Sequence, residues 1–197
     1  MSRGLGDVYK RQGIERLTYS AIIVLVATVF AWIMALILHL QPEEFSSLNI
    51  GNITHLILRL TASFCGVFGF SIMFNSSIPM AATTAVIGAI ANTLRLELVD
   101  FTAIPAAAAA FIGAVTAGLL ASFIKKYNGY PRISLTVPSI VIMVPGLYLY
   151  RAIYNFGIMS LTEAVSWFTS AVMIIIALPL GLIFARIITD RTFRYCT

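Results

Sequence analysis

The sequence predicts an all-α integral membrane protein with about six transmembrane helices, the fifth of them broken by prolines. Three observations support this fold class. Hydrophobic residues make up 59% of the 197-residue chain and charged residues only 11%, whereas soluble domains have roughly 45 to 50% and about 25%. Six stretches match or approach the length of about 20 apolar residues that a helix needs to cross the hydrocarbon core. The basic residues, which give a net charge of +5, collect in alternate connecting segments.

The six predicted spans differ in length and in polar content. The first is the most uniformly apolar, the third is the shortest at 17 residues, and the fourth is rich in alanine and uncharged. The fifth and sixth contain prolines. The predicted spans are Ser20 to Leu40, Ile53 to Phe74, Ile78 to Leu94, Phe101 to Ile124, Ile133 to about Phe156, and Ala164 to Ala185.

The first twelve residues, MSRGLGDVYKRQ, differ in composition from the rest of the chain and resemble translated adaptor or cloning sequence. We therefore predict a sequence scar at 1–12, a first transmembrane helix with its outer loop at 13–52, and a membrane domain at 53–197. On this division the first helix is either an extra anchor or the end of a larger part fused upstream.

Lysine and arginine predict the orientation of the spans, because these residues collect on the cytoplasmic side of a membrane. With the N-terminus inside, the outer segments hold a single basic residue, Arg95, and most of the acids. The preferred topology is therefore six spans in the plasma (inner) membrane with both termini in the cytoplasm. The alternative is that Pro138 and Pro145 turn the fifth stretch into a re-entrant hairpin, which would reverse the side of everything after it. The predicted inner basic residues are Arg16, Lys125, Lys126, Arg132, Arg186, Arg191 and Arg194, and the outer acids are Glu43, Glu44, Glu97, Asp100 and Glu163.

Small residues recur at every fourth position in the third and fourth spans. Such faces let helix backbones approach closely in a membrane, where no water drives association. We predict that both faces pack against other helices rather than bind a ligand. They consist of Ala81, Ala85 and Ala89 in the third span, and of Ala106, Ala110, Ala114, Gly118 and Ser122 in the fourth.

Enzymatic and nucleotide-binding functions are not indicated. The chain has no phosphate-binding loop, no dinucleotide glycine pattern and none of the common hydrolase motifs. Cys65 and Cys196 lie far apart, and neither has a histidine or cysteine at metal-ligand spacing. We expect no catalytic residues, metal, cofactor, disulfide or nucleic-acid partner, and we expect the lipid bilayer to surround the chain.

Interior prolines make the fifth span the most informative stretch. Each proline lacks an amide donor and frees the carbonyl four residues earlier, and in hydrocarbon such a group needs protein, water or a ligand as its partner. Broken helices of this kind form the binding sites of many transporters. The alternative is a simple kink repaired by a neighbouring serine or threonine. The carbonyls predicted to be freed by Pro138, Pro145 and Pro179 are those of Ser134, Val141 and Ile175.

Arg59 and Arg151 are the two charges that fall inside the predicted spans. Both are expected roughly 8 to 9 Å below the outer boundary, at 1.5 Å per residue. Two guanidinium groups at one depth are suited to holding a carboxylate. The alternative is that they snorkel to the headgroups or form structural pairs. Asn75 is either part of a polar path with Asn92 or a helix cap.

Two segments resemble a known family. GFSIMFNSSIP, from Gly69 to Pro79, and the later VPSIVIMVPGLYLYRAI are similar to the threonine/serine exporter family, and in particular to its smaller, C-terminal-type half. The most specific parts are Phe74 with Asn75, and the Val-Pro-Gly segment that ends at Gly146 and is followed by Tyr150.

The resemblance implies a secondary exporter of threonine and serine, or of dicarboxylates such as succinate, that works with a larger half supplied separately or fused upstream. A homo-oligomer is a further option. Our hypothesis is an exporter driven by the proton-motive force, and the alternative is a non-transporting scaffold or assembly subunit. The family motif positions and the two arginines together form the predicted substrate-binding set: Asn75, Pro138, Pro145, Gly146, Tyr150, Arg151 and Arg59.

Overall fold

The structure, a computed structural model, describes residues 2–38, 51–102 and 104–190. Several predicted features lie outside this part of the chain: the outer-loop acids Glu43 and Glu44, the C-terminal Arg191 and Arg194, and Cys196. Within it every regular element is a helix, which confirms the all-α class. The helices are α1 (Ser2–Ile37), α2 (Asn52–Met73), α3 (Ile78–Thr102), α4 (Ala106–Asn128), α5 (Arg132–Val141), α6 (Gly146–Gly157) and α7 (Leu161–Thr189).

Five of the described helices are long and apolar enough to cross a membrane, and the bent pair of α5 and α6 makes a sixth when it is counted as one span. The second and fifth predicted spans match the structure to within about a residue at each end. The predicted end of the third span at Leu94 is wrong, because α3 continues to Thr102 and includes Arg95. The fourth span accordingly begins later than predicted, at Ala106, after Pro105 in the N-cap position.

Two tight turns join neighbouring helices through residues in the left-handed conformation. After α2, Asn75 has a φ of 58°, and the amides of Asn75 and Ser76 donate to carbonyls in the last turn of the helix. After α6, Met159 has a φ of 61° and the same pair of hydrogen bonds forms. Each turn satisfies carbonyls that a helix end would otherwise leave without partners. The two turns produce the helical hairpins α2–α3 and α6–α7.

The small-residue face of α4 packs against α7, as predicted for a helix-packing face. A Cβ atom placed on Gly118 would lie 2.6 Å from the Cβ of Ala185, and one on Gly181 would lie 2.7 Å from the Cβ of Ala114. The contact of Gly118 with Ala185 lies four residues further along both helices than the contact of Ala114 with Gly181. The helices α4 and α7 are therefore parallel. Because only glycine fits at Gly118 and Gly181, the two backbones approach closely.

Helix α3 lies at the centre of the described bundle, against α2, α4 and α5. The predicted small face of α3 is buried, with Ala81 and Ala85 fully enclosed and Ala89 3% exposed. A Cβ atom placed on Gly88 would lie 3.2 Å from the Cα of Ser139 in α5. This close approach brings the middle of α3 against the broken span.

The pair of α5 and α6 crosses the bundle in the direction opposite to α7. At one end Arg132 Nη1 donates to Thr189 Oγ1 over 3.0 Å, and towards the other the Tyr148 and Trp167 rings contact edge to face. A re-entrant hairpin would return to the side where it began, so this geometry favours a single broken crossing. We call the end that holds Arg132 the basic end and the opposite one the acidic end. The basic end holds Lys125, Arg132 and Arg186, and the acidic end holds Glu97, Asp100 and Glu163.

Candidate functional site: a helix break at mid-membrane

The broken span is interrupted once, at Pro145. Helix α5 ends at Val141, α6 begins at Gly146, and the two axes are bent by 40°. Pro138 lies inside α5 without interrupting the helix, and α7 likewise continues through Pro179. Of the three interior prolines, therefore, only Pro145 separates two helices.

Short-range hydrogen bonds close the break on its α5 side. The amide of Val144 donates to the Val141 carbonyl over 3.1 Å, and the amide of Gly146 donates to the Val144 carbonyl over 2.8 Å. The prediction that Pro145 leaves the Val141 carbonyl without a partner is therefore wrong. The turn supplies a local donor in place of the missing proline amide.

The amides of Leu147 and Tyr148 remain free on the α6 side. After Gly146, the next amide of this helix to reach a backbone carbonyl is that of Leu149, which donates to Pro145 over 3.0 Å, and no side chain caps the helix. Within the described residues, neither Leu147 nor Tyr148 has an acceptor for its amide. A helix N-terminus carries partial positive charge, so α6 presents this charge midway along the broken span, where Gly146 and Leu147 are exposed.

A chain of buried polar groups reaches the break from α2 and α3. Asn92 Nδ2 donates to Ser63 Oγ over 2.9 Å, and Asn92 Oδ1 accepts from Arg95 Nη1 over 3.4 Å. The same Nη1 donates to the carbonyl of Met143, inside the break, over 3.2 Å. Gly113 of α4 packs over this group, since a Cβ there would lie 3.2 Å from the Cβ of Arg95. Asn92 and the break thus hold the guanidinium group, Ser63 extends this network to α2, and α4 packs at the base of the Arg95 side chain.

Arg95 is a buried cation without an acidic partner. The residue is 9% exposed, and no carboxylate within residues 2–38, 51–102 and 104–190 lies within 4.0 Å of it. Its Nε atom is buried without an acceptor. An uncompensated charge at this depth is costly and, in membrane proteins, usually marks a functional site.

Arg59 and Arg151 each have a separate partner. Arg59 Nη1 lies 2.9 Å from Glu97 Oε1, and Nη2 bonds to Asp100. Arg151 lies with its Cζ atom 4.6 Å from the centre of the Trp167 ring, an arrangement that stabilises a cation against an aromatic face. The expectation of a joint carboxylate site receives no support from these contacts.

The remaining predicted residues divide between the break and a helix end. Gly146 and Tyr150 line a cavity of about 340 Å³ between α6 and α1, together with Thr28 and Trp32. Asn75 is exposed and terminates α2 through its backbone. This is a backbone role at the end of α2, whereas the cap predicted from the sequence was a side-chain oxygen at the start of the third span.

The sequence-based interpretation missed Arg95 because it placed this residue in an outer loop. One signal was available: the predicted third span had only 17 residues, fewer than the about 20 that a crossing requires. Extension of the span by two turns would have placed Arg95 inside the membrane.

A family model described as "Threonine/Serine exporter, ThrE" matches residues 59–188, which run from α2 almost to the end of α7. The chain belongs to the threonine/serine exporter family. No curated protein and no solved structure is similar to the chain at a significant level. Membership in the exporter family places the chain among multi-pass membrane transporters rather than enzymes. The matched range contains the break, Arg95 and every predicted substrate-binding residue.

Proposed function

We propose that this chain is the membrane component of an exporter that moves threonine and serine, or a dicarboxylate such as succinate, across the plasma membrane. The observation that supports the proposal best is the start of α6 midway along the broken span, where two amides have no acceptor among the described residues. Such groups replace the hydration shell of a polar passenger within hydrocarbon. A helix whose only task is to span the membrane gains nothing from them.

The break also supplies a hinge for the proposed transport cycle. No continuous ladder of hydrogen bonds joins α5 to α6 through Val144 and Pro145, so α6 can change its angle without melting either helix. Rocking of one helical unit against another is the usual basis of alternating access. We place the passenger beside Pro145, Gly146 and Tyr150, at the cavity between α6 and α1.

Energy coupling and the larger partner half are further parts of the proposal. We propose that the proton-motive force drives export and that the larger half carries the titrating group. In support, Glu97 and Asp100, the two acids inside α3, are both bound by Arg59. These carboxylates are thereby committed to an ion pair within this chain.

The charge at the two ends supports the proposed orientation. Lys125, Arg132 and Arg186 collect at the basic end, which is the pattern of a cytoplasmic surface. Both chain termini would then lie in the cytoplasm. The membrane domain would export from the basic end towards the acidic end.

Substitution of Pro145 separates this exporter from a non-transporting scaffold. In cells loaded with a threonine dipeptide, Pro145→Ala restores an amide that can extend α5, and we expect threonine efflux to fall at an unchanged protein level. Pro179→Ala is the matched control, because α7 is already continuous there, and it should keep efflux. Arg151→Gln should also lower efflux if Arg151 contacts the substrate. A scaffold would instead lose assembly with its partner, and normal efflux from Pro145→Ala would refute the assignment of the site.

A further inference from the structure

We infer that Arg95 is the residue that binds the carboxylate of the exported substrate, beside the break in the α5–α6 span. This inference rests on the proposed function and assigns a substrate contact to a residue outside the predicted set. It is carried by a guanidinium that is 9% exposed, has no acidic partner among the described residues, and is hydrogen-bonded to the break itself.

The hydrogen-bonding pattern of Arg95 leaves one edge of the guanidinium unused. Both of its hydrogen bonds, to Asn92 Oδ1 and to the Met143 carbonyl, come from Nη1. Nε is buried without an acceptor, and neither of the two hydrogen bonds uses Nη2. The Nε–Nη2 edge has two parallel donors, which is the geometry that a carboxylate accepts bidentately.

A purely structural role accounts poorly for this arrangement. A side chain that braces the break through one carbonyl does not need a full charge, and a buried cation without a counter-charge is destabilising. Arg95 also differs from a snorkelling arginine, because Asn92 and Met143 hold its head inside the protein. A carboxylate that enters with the substrate would supply the missing charge.

The surroundings match one carboxylate attached to a small polar molecule. Ser63 and Asn92 extend the polar surface towards α2, while Gly113 keeps α4 close and limits the space. Threonine, serine and a dicarboxylate share the carboxylate that Arg95 would bind. Arg95 does not line the cavity between α6 and α1, so a passenger in that cavity reaches the guanidinium only through movement at the break, where the proposed hinge lies.

The test uses inside-out membrane vesicles from cells that express the full chain together with the proposed larger half, and measures uptake of labelled threonine. In the wild type, unlabelled serine should inhibit threonine uptake at a concentration at least about tenfold lower than serinamide, which lacks the carboxylate. The reason is that hydrogen bonds between charged groups are stronger than those between neutral groups. Arg95→Gln should raise the KM for threonine by about tenfold or more and abolish the preference for serine. If the vesicles take up succinate instead, succinate and succinamide replace this pair of competitors.

Asn92→Asp keeps the test decisive if Arg95→Gln does not fold. This change places a carboxylate next to Nη1, so that the protein itself neutralises the guanidinium. We expect uptake to fall at least tenfold while thermal stability stays the same or rises, a combination that loss of a brace cannot produce. If wild-type vesicles take up neither threonine nor succinate, the proposed export function is refuted. Normal uptake by Asn92→Asp, or an unchanged preference for serine in Arg95→Gln, would refute the role of Arg95 and leave export standing.

Discussion

The contact between α4 and α7 yields a prediction whose size follows from the structure. A Cβ atom on Gly181 would lie 2.6 Å from the carbonyl oxygen of Phe111 and 2.7 Å from the Cβ of Ala114. Real Cβ atoms do not approach other atoms so closely, and the carbonyl belongs to the α4 backbone. Gly181→Ala must therefore push the two helices apart over several residues rather than turn one side chain aside.

The expected loss of stability is that of an overpacked core. Insertion of a methyl group into a closely packed interface costs about 1 to 3 kcal/mol. For a chain of this size each kcal/mol lowers the melting temperature by roughly 2 to 4 °C. We expect Gly181→Ala to melt roughly 2 to 12 °C below the wild type in detergent, as followed by the temperature dependence of the monodisperse peak in size-exclusion chromatography.

Gly69→Ala is the matched control, because Gly69 lies within α2 and an added Cβ meets nothing within 4 Å. Alanine is favoured over glycine in a helix by roughly 0.5 to 1 kcal/mol, so this variant should melt at or slightly above the wild-type temperature. Equal melting temperatures for Gly181→Ala and Gly69→Ala would show that α4 and α7 do not meet at Gly181, and would contradict the parallel packing of these helices.

Three further predictions address the ends and the interior of the bundle. A double-mutant cycle of Arg59→Gln and Glu97→Gln should show a coupling energy of about 0.5 to 3 kcal/mol in thermal unfolding, because the two groups lie 2.9 Å apart, and additive effects would exclude this ion pair. Lys125→Cys and Glu163→Cys are each made in a background without native cysteines. Because these residues flank the broken span, an impermeant maleimide should label the two cysteines from opposite sides of the membrane. Labelling of both from the same side would indicate a re-entrant hairpin. Ser71→Ala removes a buried hydroxyl that has no partner in the described part of the chain, so the melting temperature should stay the same or rise slightly, and a fall of several degrees would show that the hydroxyl is in fact bonded.

Features with local causes were accessible from the sequence. Long apolar stretches predicted the second and fifth spans almost residue for residue, and the small-residue face of α4 predicted a helix-packing surface, whose partner the structure shows to be α7. Proline lacks an amide, so the fifth span, which contains Pro138 and Pro145, was predictable as the broken one. That Pro138 leaves α5 helical whereas Pro145 ends a helix was not predictable, since both have the same local chemistry.

Features with distant causes were not accessible. The partner of Arg95 lies 48 residues further along the chain, and those of Arg59 lie 38 and 41 residues away. Sequence spacing alone suggested that Arg59 and Arg151 lie at the same depth and could hold one carboxylate together. The fold instead gives Arg59 two carboxylates and places Arg151 on the face of Trp167.

The sequence by itself determined the membrane class, the order of the helices and which span is broken, because hydropathy and proline geometry act within a few residues. Only the tertiary structure decided that α5 and α6 together cross the bundle opposite to α7, and that the guanidinium of Arg95 lies buried against the Met143 carbonyl. The physical reason is that the burial and the hydrogen bonds of a charged side chain in a membrane depend on its neighbours in space, and those neighbours come from other helices.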